Sequence, residues 1–138
     1  MFWFRVLQFM LLAIGTTLVC ALVPMCFPFE WMASIHQWLG LGELPESAIT
    51  SYLARSTSLM YAVHGSVMFY VGWHLRQHLS MIPFFALLNV LIGLILIGID
   101  LGSGMPMYWT VSEGPMVSVG GIVLFWLHSK AKTELPEN

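Results

Sequence analysis

From Met81 to Leu101 the chain reads MIPFFALLNVLIGLILIGIDL, with no charge before Asp100. A helix of about 20 apolar residues covers the roughly 30 Å of hydrocarbon in a bilayer. A helix on the surface of a soluble domain would show one apolar stripe and one polar face, and this run is apolar on every side. It therefore predicts a membrane span over about 81–101, with lipid as the solvent for much of the surface.

The neighbouring segments read the same way. Downstream, a span is expected over about 108–128, with Glu113 about one turn in. Upstream, one is expected over about 48–73 and another over about 6–23, the latter ended by Pro24 and Pro28. Strands of an outer-membrane barrel would alternate in polarity, and these segments do not. Between the first two spans, Trp31, Ile35, Trp38 and Leu39 recur at helical spacing, with Ser34, His36 and Gln37 on the other side; Gly40, Gly42 and Pro45 then break the pattern. This predicts a short amphipathic helix over about 29–39, either lying at the membrane interface or capping the end of the bundle. The expected fold class is all-α: a four-transmembrane-helix bundle with a short interfacial amphipathic helix between helices 1 and 2, forming a single integral membrane domain over 1–138.

Composition agrees. Hydrophobic residues make up 58% of the chain and charged ones 9%, against about a quarter charged in soluble domains. The net charge of −2 leaves no basic footprint for nucleic acid. The uncharged run from Val6 to Phe29 is longer than a signal-peptide core and shows no small-x-small cleavage site, so it predicts a retained span. Arg5, Arg76, Lys130 and Lys132 all fall on one side of such a bundle, while the opposite loops carry Glu30, Glu43 and Glu46. The excess of Lys and Arg on the cytoplasmic side predicts a multi-pass protein of the inner (plasma) membrane with both termini cytoplasmic. Thr133 to Asn138 reads as a polar, mobile tail.

Ionisable residues inside a span are costly and point to function. Arg55, Asp100 and Glu113 are expected at similar depth in the outer half, where an isolated Arg would be driven to pair with a carboxylate. Arg55 is thus expected to meet Asp100, Glu113 or both. Two readings stand: a ligand-binding pocket edged by Tyr52, Ser56, Ser58, Tyr108, Trp109 and Thr110, or an ion-pair cluster that locks the helices in register. A secondary polar set comprises His64, Tyr61, Asn89 and Ser58. His64 lies nine residues from Arg55, about 180° around an ideal helix, and its expected partner is Asn89 or Thr17. A bis-histidine haem site needs a second histidine at similar depth, and this chain has none; a dimer that pairs two copies of His64, or a methionine as second ligand, would supply one. No cofactor is specified. His74 and His78 lack a nearby carboxylate or thiol to complete a metal site, and Cys20 and Cys26 fit neither a redox pair nor a metal knuckle. No metal site is expected.

Small residues at Ala54, Ser58 and Ala62, at Gly114, Ser118 and Gly121, and at Gly98 and Gly102 would let helices approach closely. The ten methionines are scattered and read as adaptable filling. No catalytic set is recognisable: there is no GxSxG elbow, no HExxH and no phosphate-binding loop.

The stretches 38–45 (WLGLGELP), 52–56 (YLARS), 61–65 (YAVHG) and 100–106 (DLGSGMP) resemble those of small uncharacterised bacterial four-helix membrane proteins. The overall plan is similar to that of DoxX-like small membrane proteins. These resemblances imply an architecture and assign no activity.

Three functions compete. The first is a non-catalytic integral membrane protein, an accessory subunit or binding module of a membrane complex. The second is a transporter or small-molecule or lipid binder using the outer charged pocket. The third is a membrane enzyme acting on a lipid or quinone. The expected partners are the lipid bilayer and either other membrane subunits or a second copy of the chain.

Overall fold

The computed structural model describes residues 1–135, and those residues are almost entirely helical. Helix α1 (Phe2–Val19) is followed by a turn at Cys20–Ala21 and the short α2 (Leu22–Met25). Then come α3 (Phe29–Trp38), the long α4 (Ala48–Trp73), α5 (Leu75–His78), a 3-10 turn (Leu79–Met81), α6 (Ile82–Ser103) and α7 (Met107–Thr133). The chain divides into two compact units. One is Met1–Phe9 with His74–Asn138; the other is Met10–Trp73.

The first unit is built on the α6–α7 hairpin. A Cβ placed on Gly121 would lie 2.6 Å from Ala86 O and 2.9 Å from Val90 N. One placed on Gly114 would lie 2.7 Å from Gly93 O, and one on Gly93 would lie 2.7 Å from Ser118 N. These glycines bring the two backbones into contact, as the small-residue pattern on α7 predicts. Ser118 Oγ adds a hydrogen bond to Val90 O at 3.3 Å. Ile82, Phe85, Ala86, Leu124, Leu127 and Ala131 are buried, as are Phe4, Leu7 and Leu75.

The second unit closes on a crossing of α1 with α4. A Cβ on Gly15 would lie 2.6 Å from Phe69 N, and one on Gly65 would lie 2.6 Å from Leu18 Cβ. Neither Gly15 nor Gly65 belongs to the stripes read from the sequence. Leu11, Ala62, Met68 and Val71 are buried.

Both units leave large apolar side chains exposed, among them Phe9, Leu53, Met60, Phe84, Leu94, Ile95, Val119 and Phe125. Three stretches are long and apolar enough to cross a membrane: Phe2–Met25, Leu75–Ser103 and Met107–Thr133. Helix α4 is as long, at 26 residues, and is less apolar because Thr50, Ser51, Arg55, Ser56, Thr57, Ser58, His64 and Ser66 interrupt it.

The element boundaries differ from the sequence reading in an instructive way. That reading starts the first span at residue 6 and ends the fourth at 128, where charges begin. The helices instead run from Phe2 and through Thr133. Charge marks where hydrocarbon would end, whereas a helix continues while its backbone hydrogen bonds form. Lys130 and Lys132 sit in the last turn of α7, where cations complement the negative end of the helix dipole.

The tail also holds a contact that hydropathy does not announce. Glu134 accepts the Trp3 and Phe4 backbone N–H groups at 3.2 Å each and lies 3.3 Å from the Met1 α-ammonium. The first N–H groups of a helix have no partner within it, so Glu134 caps α1 from the far end of the sequence. Residues 136–138 of the expected tail lie outside the described residues.

Candidate functional site

Arg55 lies in the unit formed by Met10–Trp73, and Asp100 and Glu113 lie in the other. Each has a distinct environment.

Arg55 is exposed on α4, on the wall of an open groove of about 580 Å³. The groove is lined by Met25, Ala48, Ser51, Tyr52, Arg55, Ser56 and Leu59. Met25 comes from α2 and the rest from the first half of α4. The guanidinium Nη2 donates to Phe27 O at 3.4 Å, a long bond that turns the side chain toward the segment joining α2 to α3. Tyr52 and Ser56, expected beside Arg55, line the same groove; Met25, Ala48, Ser51 and Leu59 were missed, because small and apolar residues in an apolar sequence carry no signal of their destination.

Asp100 occupies the last turn of α6. Its backbone carbonyl accepts from Met105 N at 3.0 Å, while Gly104 N donates to Leu101 O at 3.4 Å with Gly104 at φ +70°. This is the Schellman arrangement, and glycine suits the left-handed position that it needs. The Asp100 side chain is 5% exposed, and its Oδ2 has no hydrogen-bond partner among the described residues. Thr110, 4% exposed on α7, likewise has a buried Oγ1 without a partner. The pairings of Ala86 with Gly121, Gly93 with Ser118 and Ile97 with Gly114 define an antiparallel register. Extending it by one turn sets Asp100 opposite Thr110. A buried polar group left without a partner costs about 1–3 kcal/mol, and more if charged.

Glu113 is half-buried one turn and a half into α7. It accepts the Trp109 indole N–H at 2.5 Å, an i, i+4 pair on one face. Trp109 was expected near the site and is found as the donor that orients this carboxylate.

In the secondary set, His64 and Ser58 are half-buried on α4, and Tyr61 is exposed. Asn89 donates from Nδ2 to Phe85 O at 2.8 Å on its own helix. Cys20 and Cys26 are free and exposed. Among the described residues, no three His, Cys, Asp or Glu side chains gather as a metal would require.

At the other end of the first unit, the Arg76 guanidinium lies 5.9 Å from the Phe4 ring centroid, a cation–π distance, and 3.8 Å from Met1 Sδ. Trp3 packs edge-on against Trp126 at 5.1 Å. The start of α1, the 74–78 turn and the end of α7 therefore meet at one end. Burial raises the Glu134 pKa, and the Trp3 and Phe4 N–H bonds and the Met1 α-ammonium more than offset this, leaving it below the ordinary carboxylate value.

Compared with known proteins, the chain matches no family model, no curated protein and no solved structure.

Proposed function

We propose that this is a four-span protein of the inner membrane with both termini cytoplasmic. It performs no chemistry of its own and serves as a binding module or accessory subunit of a membrane complex, engaging its ligand or partner through the Arg55 groove. The observation that carries this reading is an arginine held in an open groove with one long bond to a backbone carbonyl. An arginine at membrane depth is kept where it has something to bind.

Several features support the topology. The 26 residues of α4 rise about 39 Å, close to the 40–45 Å of a bilayer with its headgroups. Leu53, Met60, Val63, Val67 and Phe69 face outward along it. The contacts of Arg76 and Glu134 with the start of α1 bring together the segments that carry Arg5, Arg76, Lys130 and Lys132, as the positive-inside pattern requires. Helix α3 has no buried residue, and Trp31 and Trp38 are 59% and 83% exposed, which suits a helix lying at headgroup level.

A second reading, a transporter or small-molecule binder, is favoured by the buried Asp100 Oδ2, which has no hydrogen-bond partner among the described residues. Buried polar groups without partners call for an explanation such as an ion or a moving proton.

The test is native mass spectrometry of protein extracted gently from its own membrane. Wild type is expected to carry a polypeptide or a small mass that Arg55→Gln has lost, with both proteins accumulating to equal levels. An Arg55→Gln protein that emerges with the same companions as wild type would sink the proposal.

A further inference from the structure

We infer that the Arg55 groove binds the singly charged acidic head of a membrane amphiphile whose hydrocarbon chain lies along its apolar wall. This names the occupant of the groove proposed above and rests on that reading.

Hydrogen bonding supplies the first argument. A guanidinium has five N–H donors in a planar fork that matches phosphate or carboxylate oxygens. Among the described residues Arg55 commits one nitrogen, to Phe27 O. The Ser56 hydroxyl donates to Leu53 O at 3.1 Å, whereas Ser51 and Tyr52 line the groove and carry hydroxyls able to donate to an anion. Met25, Ala48 and Leu59 form the apolar wall. A volume of about 580 Å³ falls within the 300–1,000 Å³ of small-ligand sites.

Depth supplies the second. Arg55 is seven residues in from the start of α4, or about 10 Å. Each headgroup layer is about 5–8 Å thick, so the Arg55 Cα sits just beneath it. The side chain turns toward Phe27, in the segment that precedes interfacial α3. Snorkelling in that direction brings the guanidinium to the level of lipid phosphates.

Charge supplies the third. Arg55 is the one Lys or Arg between Val6 and Leu75, and the same stretch carries Glu30, Glu43 and Glu46. Soluble polyanions are repelled by such a surface. An anion with one charge and a greasy tail is instead delivered within the plane of the membrane.

The experiment titrates the full chain, in a non-ionic detergent, with phosphatidylglycerol or phosphatidylcholine of identical acyl chains, read by native mass spectrometry. Wild type is expected to retain one phosphatidylglycerol about tenfold or more tightly than phosphatidylcholine. Arg55→Gln should lose that preference, and Arg55→Lys should keep part of it. Ala48→Trp, which fills the apolar wall and leaves the charge alone, should weaken retention as well. Millimolar inorganic phosphate should leave the lipid in place. Equal retention of both lipids by wild type, an unchanged preference in Arg55→Gln, undiminished retention in Ala48→Trp, or displacement by phosphate would each overturn the inference. If Arg55→Gln leaves the lipid bound but releases a polypeptide partner, this inference falls and the binding-module reading stands. If it releases neither, both fall.

Discussion

Gly120 and Gly121 are neighbours on α7 with opposite surroundings, so they test the α6–α7 packing directly. A Cβ on Gly120 meets nothing within 4 Å, whereas one on Gly121 would lie 2.6 Å from Ala86 O, about 0.8 Å inside the 3.4 Å of ordinary contact. The obstructing atoms include Ala86 O and Val90 N, which are backbone and cannot rotate aside, so α6 and α7 must separate. A radial gap of 0.5–1 Å forfeits a quarter to a half of each dispersion contact along the seam, and overpacking of this kind costs about 1–3 kcal/mol. Replacing glycine by alanine in a helix returns up to about 1 kcal/mol of backbone entropy. That return is common to both sites and cancels in their difference. Gly121→Ala is therefore expected to be about 1–3 kcal/mol less stable than Gly120→Ala, which itself should equal or exceed wild type. The assay is reversible denaturant unfolding in detergent micelles, followed by far-ultraviolet circular dichroism. Equal stabilities, or a worse result for Gly120→Ala, would refute the helix register on which the Asp100–Thr110 alignment depends.

Other outcomes follow from the polar contacts. Asp100→Asn replaces a buried carboxyl, whose Oδ2 has no hydrogen-bond partner among the described residues, by a neutral side chain of the same shape and should cost the protein no stability; a loss of stability would mean that the carboxyl has a partner essential to folding. Glu134 has a folded-state pKa below the ordinary carboxylate value, so its capping of α1 is fully present above about pH 4.3 and is lost as pH falls through the lower folded value. Protection of the Trp3 and Phe4 amides from hydrogen exchange, taken relative to the intrinsic rate at each pH, should fall on that acid side in wild type and should already be reduced at neutral pH in Glu134→Gln. Protection at those two amides that is indifferent to both pH and substitution would remove the cap from the account.

The helices were legible because their cause is local. A run such as MIPFFALLNVLIGLILIGIDL is apolar all round, and its residues need no knowledge of distant neighbours to become a helix in lipid. The expected helix bounds of 29–39 and 48–73 agree closely with Phe29–Trp38 and Ala48–Trp73, since Pro28, Pro45 and the Gly40–Gly42 turn punctuate the chain there. The Gly104 stop after α6 is equally local.

The site was legible only as a roster of residue types. Arg55, Asp100 and Glu113 stand out in an apolar sequence because charge in a span is rare. Their environments depend on more than residue type: Phe27 O reaches Arg55 from a distant segment, and burial leaves Asp100 Oδ2 without a hydrogen-bond partner among the described residues, whereas Trp109 meets Glu113 from one turn away on the same helix. Sequence alone determined that this chain is helical and apolar enough for membrane. Only the tertiary structure decided which glycines are contacts and which are bystanders, that Glu134 caps α1 from 130 residues away, and that Arg55 lines a groove. The physical reason is range: hydropathy and helix propensity are summed along the chain, whereas close approach, capping and burial are set by residues that meet only once the backbone has folded.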